Sequence, residues 1–555
     1  MRFFLLLLSF LVTFSVQSQN TDSVVKVSYY RSSNGKLLQN QDPIILYTSS
    51  SQTAIASEAI INGKGARPFE RFFVDRANNS YIKQAFLQNG KQIVMSDPDL
   101  LSKHTFTITE EKKEILGYEC TKAVTSVNSN TIELWFTNDL RVKGAPTELG
   151  QNLGLVLEMV RNGNYAVTAQ EIEYIDKIPE SLQLPNIENS VDDLSYKDLL
   201  WKSRFVNLSI FDNEQINFIA DPKSDSVLRF ANGTIILKKV KIPHIENGNS
   251  IFVELVEKSN GDAYDRTGTV FMIPTDNGIS FLDGLKKGAS ALPIYENGNG
   301  KKYQGVVRTD QYTPLVELMR FFTPFGVKQF NHIQLKGKNW QDSVSYRQDV
   351  TEFAPLLTDR EAWIGVFIGN YDGGGHIVSL DLTIHPGRPD DSQSQQIVPL
   401  FNTLNVMEMA GQEYATMFDV EKGLEVKFTL QKDMKNAKLR FITTGHGGWG
   451  NGDEFVPKEN TIYLDGSEAF SFTPWRTDCG SYRLYNPASG NFSNGLSSSD
   501  LSRSNWCPGT LTSPIFINLG DLNAGEHTVR VQIPQGAPEG TSFSSWNVSG
   551  VLIGE

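Results

Sequence analysis

The sequence predicts a mainly β protein: two adjacent β-sandwiches preceded by a separate N-terminal β-rich domain. Three observations carry this. Alternating apolar and polar residues recur along the chain, a period of two that turns one side of a strand to a core and the other to water. Helical periodicity is scarce, and an aromatic content of 11%, with 33 Phe and 18 Tyr, favours strands. The 555 residues exceed what one hydrophobic core fills, so about three or four domains of ~150 residues are expected.

The chain opens on "MRFFLLLLSFLVTFSVQSQN", where Arg2 precedes an apolar run from Phe3 to Val16 and then small or polar residues. This predicts a secretory signal peptide over residues 1–18, too short to span a bilayer comfortably. No cysteine follows the run, which speaks against a lipid anchor, and no later stretch approaches ~20 uninterrupted apolar residues. A secreted or periplasmic, soluble and monomeric protein is expected. The strand "NTIELWFTND" marks an N-terminal β domain over 19–190, which ends in the connection "IPESLQLPNIENS". "VDDLSYKDLLWKSRF", Val191–Phe205, begins with acids as a helix does. Beyond it, short strands such as "KGLEVKFTLQ", "AKLRFITTG" and "EHTVRVQIP" recur at a spacing that implies sandwiches, and about 350 residues suit two better than one. "LDLTIHPGRPDDSQSQQIVPLF" divides them, giving 191–390 and 391–555.

A net charge of −12 leaves no basic stripe to neutralise phosphates, so nucleic acid is excluded as a partner. Without CxxC, HExxH or H-x-H, neither a metal nor a cofactor is expected, and a copper monooxygenase on paired sandwiches is remote. Export permits disulfides. Of the three cysteines, Cys120 reads as a buried free thiol, whereas a Cys479–Cys507 bridge would close a 28-residue loop. That closure contributes roughly 3.5 kcal/mol through lost chain entropy.

Two segments carry candidate chemistry. "GHGGWGNGDEF", Gly445–Phe455, gives up side chains just before paired carboxylates, so it is either a surface shaped around a ligand or a solvated loop. Its His446 is either a site residue or a structural hydrogen-bonder. In "SNGDAYDRTGTVFMIP", Ser259–Pro274, Asp265 sits between Tyr264 and Arg266 at the mouth of a strand. An arginine there offsets desolvation and keeps a partly shielded aspartate ionised, as a base or nucleophile needs. The alternative is a strand-end aspartate in a surface ion pair.

"NGDAYDRTGTVFM" resembles the segment of the bacterial peptide:N-glycosidase F family in which Trp-Asp-Arg precedes a strand. "RFFTPFGV", "DVTEFAPLL" and then "DEFVPKENTIYLD" with "SRSNWCPG" resemble further blocks of that family, in the same order, over roughly Asn207–Glu555. The resemblance implies two jelly-roll β-sandwiches and hydrolysis of the amide between the innermost N-acetylglucosamine of an N-linked glycan and asparagine. N-glycosylated proteins or glycopeptides would be its substrate. It implies that Asp265 is the main catalytic carboxylate, Arg266 its partner, and Glu454 a second active-site acid. Arg503 and Trp506 would lie beside the site, and Cys479 and Cys507 would form a disulfide. Aromatic faces suit sugars, which adds Tyr264, Phe455 and Trp449 as contacts.

The sequence departs from the family where a further glutamate belongs, between Ile368 and Asn370; Asp372 is the nearest acid, and Tyr371 stands near a family tryptophan. Tyr264, Phe455 and Gly326 also replace tryptophans. Residues 20–190 resemble GLPGLI-type secreted domains, through "ILGYECTKA", "IELWFTNDL" and "GAPTELGQNLGLVLEM", which implies no chemistry and leaves a partner-binding or substrate-presenting role. The rival from another class is a non-catalytic glycan-binding protein or adhesin. Asp265 and Glu454, 189 positions apart in different sandwiches, meet only if the sandwiches pack side by side with a cleft at the seam.

Overall fold

The computed structural model describes residues 23–326, 336–388, 395–404, 406, 414–447, 452–487, 498–538 and 544–555. The expected signal peptide, Trp449 and the expected division near 390 lie outside the described residues. The described chain divides at Arg204–Phe205 into two units.

In the first unit, alternation builds one antiparallel sheet of twelve strands. Val24–Ser33 lies mid-sheet, between Ile44–Thr48 and Tyr165–Ile175. From there the sheet grows outward through neighbouring strands, to Gln92–Asp97 on one side and Thr107–Ile115 on the other. The two faces follow the period of two. Val25, Val27 and Tyr29 pack with Leu46, Leu134 and the free, buried Cys120, while Val24 packs oppositely with Ile45, Tyr47 and Phe73. The helix Asp193–Lys202 is capped by Asp192, which accepts from the Ser195 amide. It packs on this unit rather than on the next: Tyr196 is buried among Ala85, Leu87 and Met95, and its hydroxyl donates to Glu70 Oε1 at 2.9 Å. The unit therefore runs past the break expected near residue 190.

The second unit holds two β-sandwiches. In the first, the sheet of Val206–Ile216, His376–His385, Ser250–Ser259 and Val344–Asp349 faces a six-stranded sheet containing Thr267–Ile273 and Val316–Phe322. In the second, Gln396–Asn402, Ser545–Gly554, Met434–His446 and Ile515–Leu522 form one sheet, and Leu424–Leu430, Gly525–Gln532, Asn460–Leu464 and Ser467–Phe472 the other. Apolar side chains of the first sandwich, Phe271 and Phe367 among them, pack into one core with Phe401 and Phe441 of the second.

The seam between the sandwiches is polar as well as apolar. Arg320, fully buried, is bidentate on Glu317 (2.7 and 2.9 Å) and donates across the seam to the Asn547 carbonyl and Thr444 Oγ1. In return, Arg440 donates to the Glu317 and Leu318 carbonyls and pairs with Glu352 at 2.6 Å. Charges this deep are costly unless fully paired, so these reciprocal clamps tolerate little sliding of one sandwich on the other. The blocks "RFFTPFGV" and "DVTEFAPLL" supply Arg320 and Glu352, and so serve the seam.

Candidate active site

Three backbone segments converge at the mouth of the seam. Asp265 leaves the loop that feeds Thr267–Ile273. Its neighbours are held there: the Arg266 amide donates to Thr323 Oγ1 at 2.8 Å, and Thr323 Oγ1 donates to the Tyr264 carbonyl at 3.2 Å. Glu454 follows Met434–His446 in the second sandwich. The adjacent Asp453 turns inward, accepting from Trp546 Nε1 at 2.7 Å and from the Gly536 amide, and so anchors the turn that presents Glu454. Arg503 lies on a third segment, which crosses from the disulfide Cys479–Cys507 to add Leu511–Thr512 to the sheet of the first sandwich.

The guanidinium of Arg503 joins the other two. Its Nη1 donates to Asp265 Oδ2 at 3.1 Å and also to Glu454 Oε1, so one nitrogen holds both carboxylates. Nη2 donates to the carbonyl and hydroxyl of Ser498, and the plane lies 4.4 Å from the Trp506 ring and 5.1 Å from that of Phe455. Arg503 is 1% exposed. Burial pushes Glu454 up to about 7, with Arg503 opposing and the Asp265 charge adding to the rise. Asp265 moves the same way: burial outweighs the lowering by Arg503 and Arg266.

Arg266 favours the ionised form of Asp265, as expected of its charge, but makes no direct pair with it. The Arg266 guanidinium is bidentate on Asp262, with 2.6 Å from Nε and 3.0 Å from Nη2, and reaches Asp265 only through space. Tyr264 and Tyr371, half to two-thirds exposed, flank it at 5.1 and 5.9 Å. Asp372 Oδ1 accepts from the amides of Gly374 and Gly375, so it closes its own turn. His446 accepts or donates at Thr444 Oγ1 (2.8 Å) beside the rings of Phe322 and Trp506, 5.7 and 5.4 Å away. Burial, helped by the charges of Arg320 and Arg503, lowers it to about 3, so the imidazole is neutral. Trp506 stacks on Phe322 at 4.3 Å and donates to the Gly445 carbonyl. Gly445 is required by close packing: a Cβ there would lie 2.8 Å from Ser504, Trp546 and the Asp453 carbonyl. The described part of the glycine run thus serves internal contact. A cleft of about 580 Å³, lined by Arg476, Tyr482 and Tyr485, includes neither acid.

Sequence reasoning missed Asp262, His376 and Glu257, which stand behind the loop. Asp262 sits four residues before Arg266, a spacing that signals an ion pair in helices and that no rule reads in loops. Among the described residues no group of three or more His, Cys, Asp or Glu is arranged to hold a metal ion.

Three family models match: "N-glycanase peptide, N-terminal domain" over residues 27–198, the stretch expected to be a GLPGLI-type domain, then "Peptide-N-glycosidase F, N terminal" over 207–384 and "Peptide-N-glycosidase F, C terminal" over 413–553. No curated protein matches the chain. A solved structure of PNGF-II in space group C2 is 58% identical, over 96% of this chain and 98% of that one, with a TM-score of 0.87. The same protein in space group P21 is 59% identical over 96% and 99%, with a TM-score of 0.88. PNGase F, a glycosylasparaginase from Flavobacterium meningosepticum, is 18% identical over 63% of this chain and 96% of its own, with a TM-score of 0.42.

Proposed function

This chain belongs to the peptide-N-glycosidase F family, and on that premise we propose that it cleaves the amide between the innermost N-acetylglucosamine of an N-linked glycan and asparagine. The protein is an amidase acting on N-glycoproteins. The finer reading is that the intact oligosaccharide leaves as a glycosylamine and the peptide keeps aspartate. The observation that carries it is one buried nitrogen, Arg503 Nη1, holding Asp265 and Glu454 from separate sandwiches.

An amide resists water, so the site has to sharpen a nucleophile and stabilise the charge that develops. Once both acids are ionised they share a single cation, Arg266 being paired with Asp262, which leaves one net negative charge in a half-buried place; burial delays that ionisation, raising Asp265 and holding Glu454 back to about 7. Asp265 takes a proton from water as its oxygen bonds to the amide carbonyl carbon. The carbon–nitrogen bond then breaks with its electron pair going to nitrogen, which receives the proton. Glu454 orients that water or hydrogen-bonds the glycan. Arg503 keeps the two acids in mutual reach, and Trp506 with Phe455 walls the site. Tyr264 and Tyr371, on either side of Arg266, offer faces to the sugar rings. A lectin has no need of two acids on one buried arginine.

A glycopeptide assay read by mass spectrometry tests this: asparagine becomes aspartate and the whole oligosaccharide is released. A product that retains one N-acetylglucosamine, or no product, refutes it. The same assay reads Glu454. Its protonation makes kcat/KM fall as pH drops through about 7, and Glu454→Gln removes that limb while lowering the rate about 10²-fold. A Glu454→Gln enzyme with the wild-type limb would take this role from Glu454. Export by the N-terminal leader is part of the proposal; no described helix is long and apolar enough to cross a membrane.

A further inference from the structure

Behind the loop that presents Asp265 runs a buried row of charged side chains that the reaction above does not use. Glu257 lies on Ser250–Ser259 and His376 opens the neighbouring strand, His376–His385; both are wholly buried. Their diagonal placement lets His376 Nδ1 meet Glu257 Oε1 at 2.8 Å. On its other side, His376 Nε2 stands 3.5 Å from Asp262 Oδ2, an ion-pair contact about 0.6 Å longer than an ordinary hydrogen bond.

Asp262 is the hub of the loop. Its Oδ1 accepts from the Tyr264 amide (3.2 Å) and Arg266 Nη2, and its Oδ2 from Arg266 Nε. Ser259 Oγ donates to its carbonyl at 2.6 Å. The amides of Asn260 and Asp262 donate to the Gly375 carbonyl, one residue before His376. Gly261 admits no side chain, since a Cβ would lie 2.3 Å from Asp372 Oδ1. The backbone from Asn260 to Tyr264 is thus tied to the strand that His376 opens, and Asp265 is the next residue out.

Deepening the function proposed above, and resting on it, we propose that Glu257–His376–Asp262 is a positioning relay, in which a histidine between two carboxylates sets the aim of Asp265 and of the Tyr264–Arg266–Tyr371 platform. Charge balance supports it. Glu257 and Asp262 are offset by Arg266 and by His376 only while His376 is an imidazolium. Burial works against that charge, yet the two carboxylates raise the ring to about 9. Burial likewise works to raise Asp262, but His376 and Arg266 hold it at about 2. Among the described residues the groups facing the row are Glu257, His376, Asp262, Arg266 and Tyr346, whose hydroxyl is committed to the Phe322 carbonyl at 2.8 Å. Loss of the ring proton leaves Glu257 without its cation and Asp262 with Arg266 alone, and the Asp262 hub loosens. A shift of ~1 Å at a reacting group costs about 10²-fold in rate.

The test uses the full chain and the glycopeptide. His376→Gln lowers kcat about 10- to 100-fold and removes the alkaline limb near pH 9. Glu257→Gln keeps the shape and the hydrogen bond but withdraws one carboxylate, so it moves that limb toward neutral pH. The His376 ring titration, followed by NMR without any turnover, moves with it. A His376→Gln enzyme with kcat within twofold of wild type overturns the relay, and so does a Glu257→Gln chain whose ring titration stays in place. A wild-type chain silent on the glycopeptide would remove the parent reaction instead, and the ring titration would still decide whether the row is coupled.

Discussion

Asp265→Asn is expected to abolish glycopeptide cleavage, with kcat at least about 10³-fold down, while the folded state at pH 8 is as stable as the parent or more so. The activity half follows from removing the base that takes the water proton. The stability half follows from the direction of the shift. Burial raises the Asp265 pKa in the folded chain above its ordinary value, so the folded state binds that proton more tightly than the unfolded state does. Stability from this group is fully present below the unfolded value and is lost as pH rises through the folded one. A neutral asparagine does not incur that loss, and Arg503 keeps Glu454 as its ionic partner. Calorimetry should therefore find the variant's Tm at or above wild type at pH 8, with the gap closing near pH 4. Cleavage within tenfold of wild type would remove Asp265 from the centre of the reaction. A Tm well below wild type at pH 8 would mean that the Asp265–Arg503 contact is a structural bond.

Strands were the most legible feature, because a half-buried strand writes its period of two directly into the chain: "NTIELWFTND" is Asn130–Thr137 and "KGLEVKFTLQ" is Leu424–Leu430. The one good helix was legible from its acidic start. Its docking partner was not, since Tyr196 meets Glu70 126 positions away. The same limit divides the site. Asp265, Glu454, Arg503 and Trp506 were reached through ordered blocks of resemblance, but nothing in those blocks says that one arginine nitrogen holds both acids. Nor do they say that Arg320 and Glu352 face the seam rather than a sugar, because those pairings join residues 88 to 227 apart. Adjacency along the chain misled once: Arg266 follows Asp265 yet pairs with Asp262, since four residues of loop bring that carboxylate round to the guanidinium while the Asp265 side chain turns to Arg503. Glu257 and His376 gave no signal, being an ordinary buried acid and histidine until the strands are paired.

Arg503→Met carries the largest combined effect. The methionine keeps much of the stem that packs on Trp506 and Phe455, but leaves Asp265 and Glu454 as two half-buried acids without a cation between them. Removing one partner from a buried charged cluster costs about 3–5 kcal/mol, and the loss of aim should lower kcat about 10²-fold or more. The stability deficit must depend on pH. At acid pH, where both acids are protonated in either protein, the variant lacks only hydrogen bonds and packing. As pH rises through the Glu454 value of about 7, wild type ionises its acids against Arg503 while the variant cannot, so its deficit grows. Adding Asp265→Asn to Arg503→Met removes one of the stranded charges and should recover part of the Tm without recovering activity, a non-additivity that neither single change predicts. Arg503→Lys keeps the charge but loses the planar fork that reaches Ser498 and both acids at once, so it should hold stability better than activity. A deficit of equal size at pH 5 and pH 8 would reduce Arg503 to a packing residue, and the joining of the two acids would then need another cause.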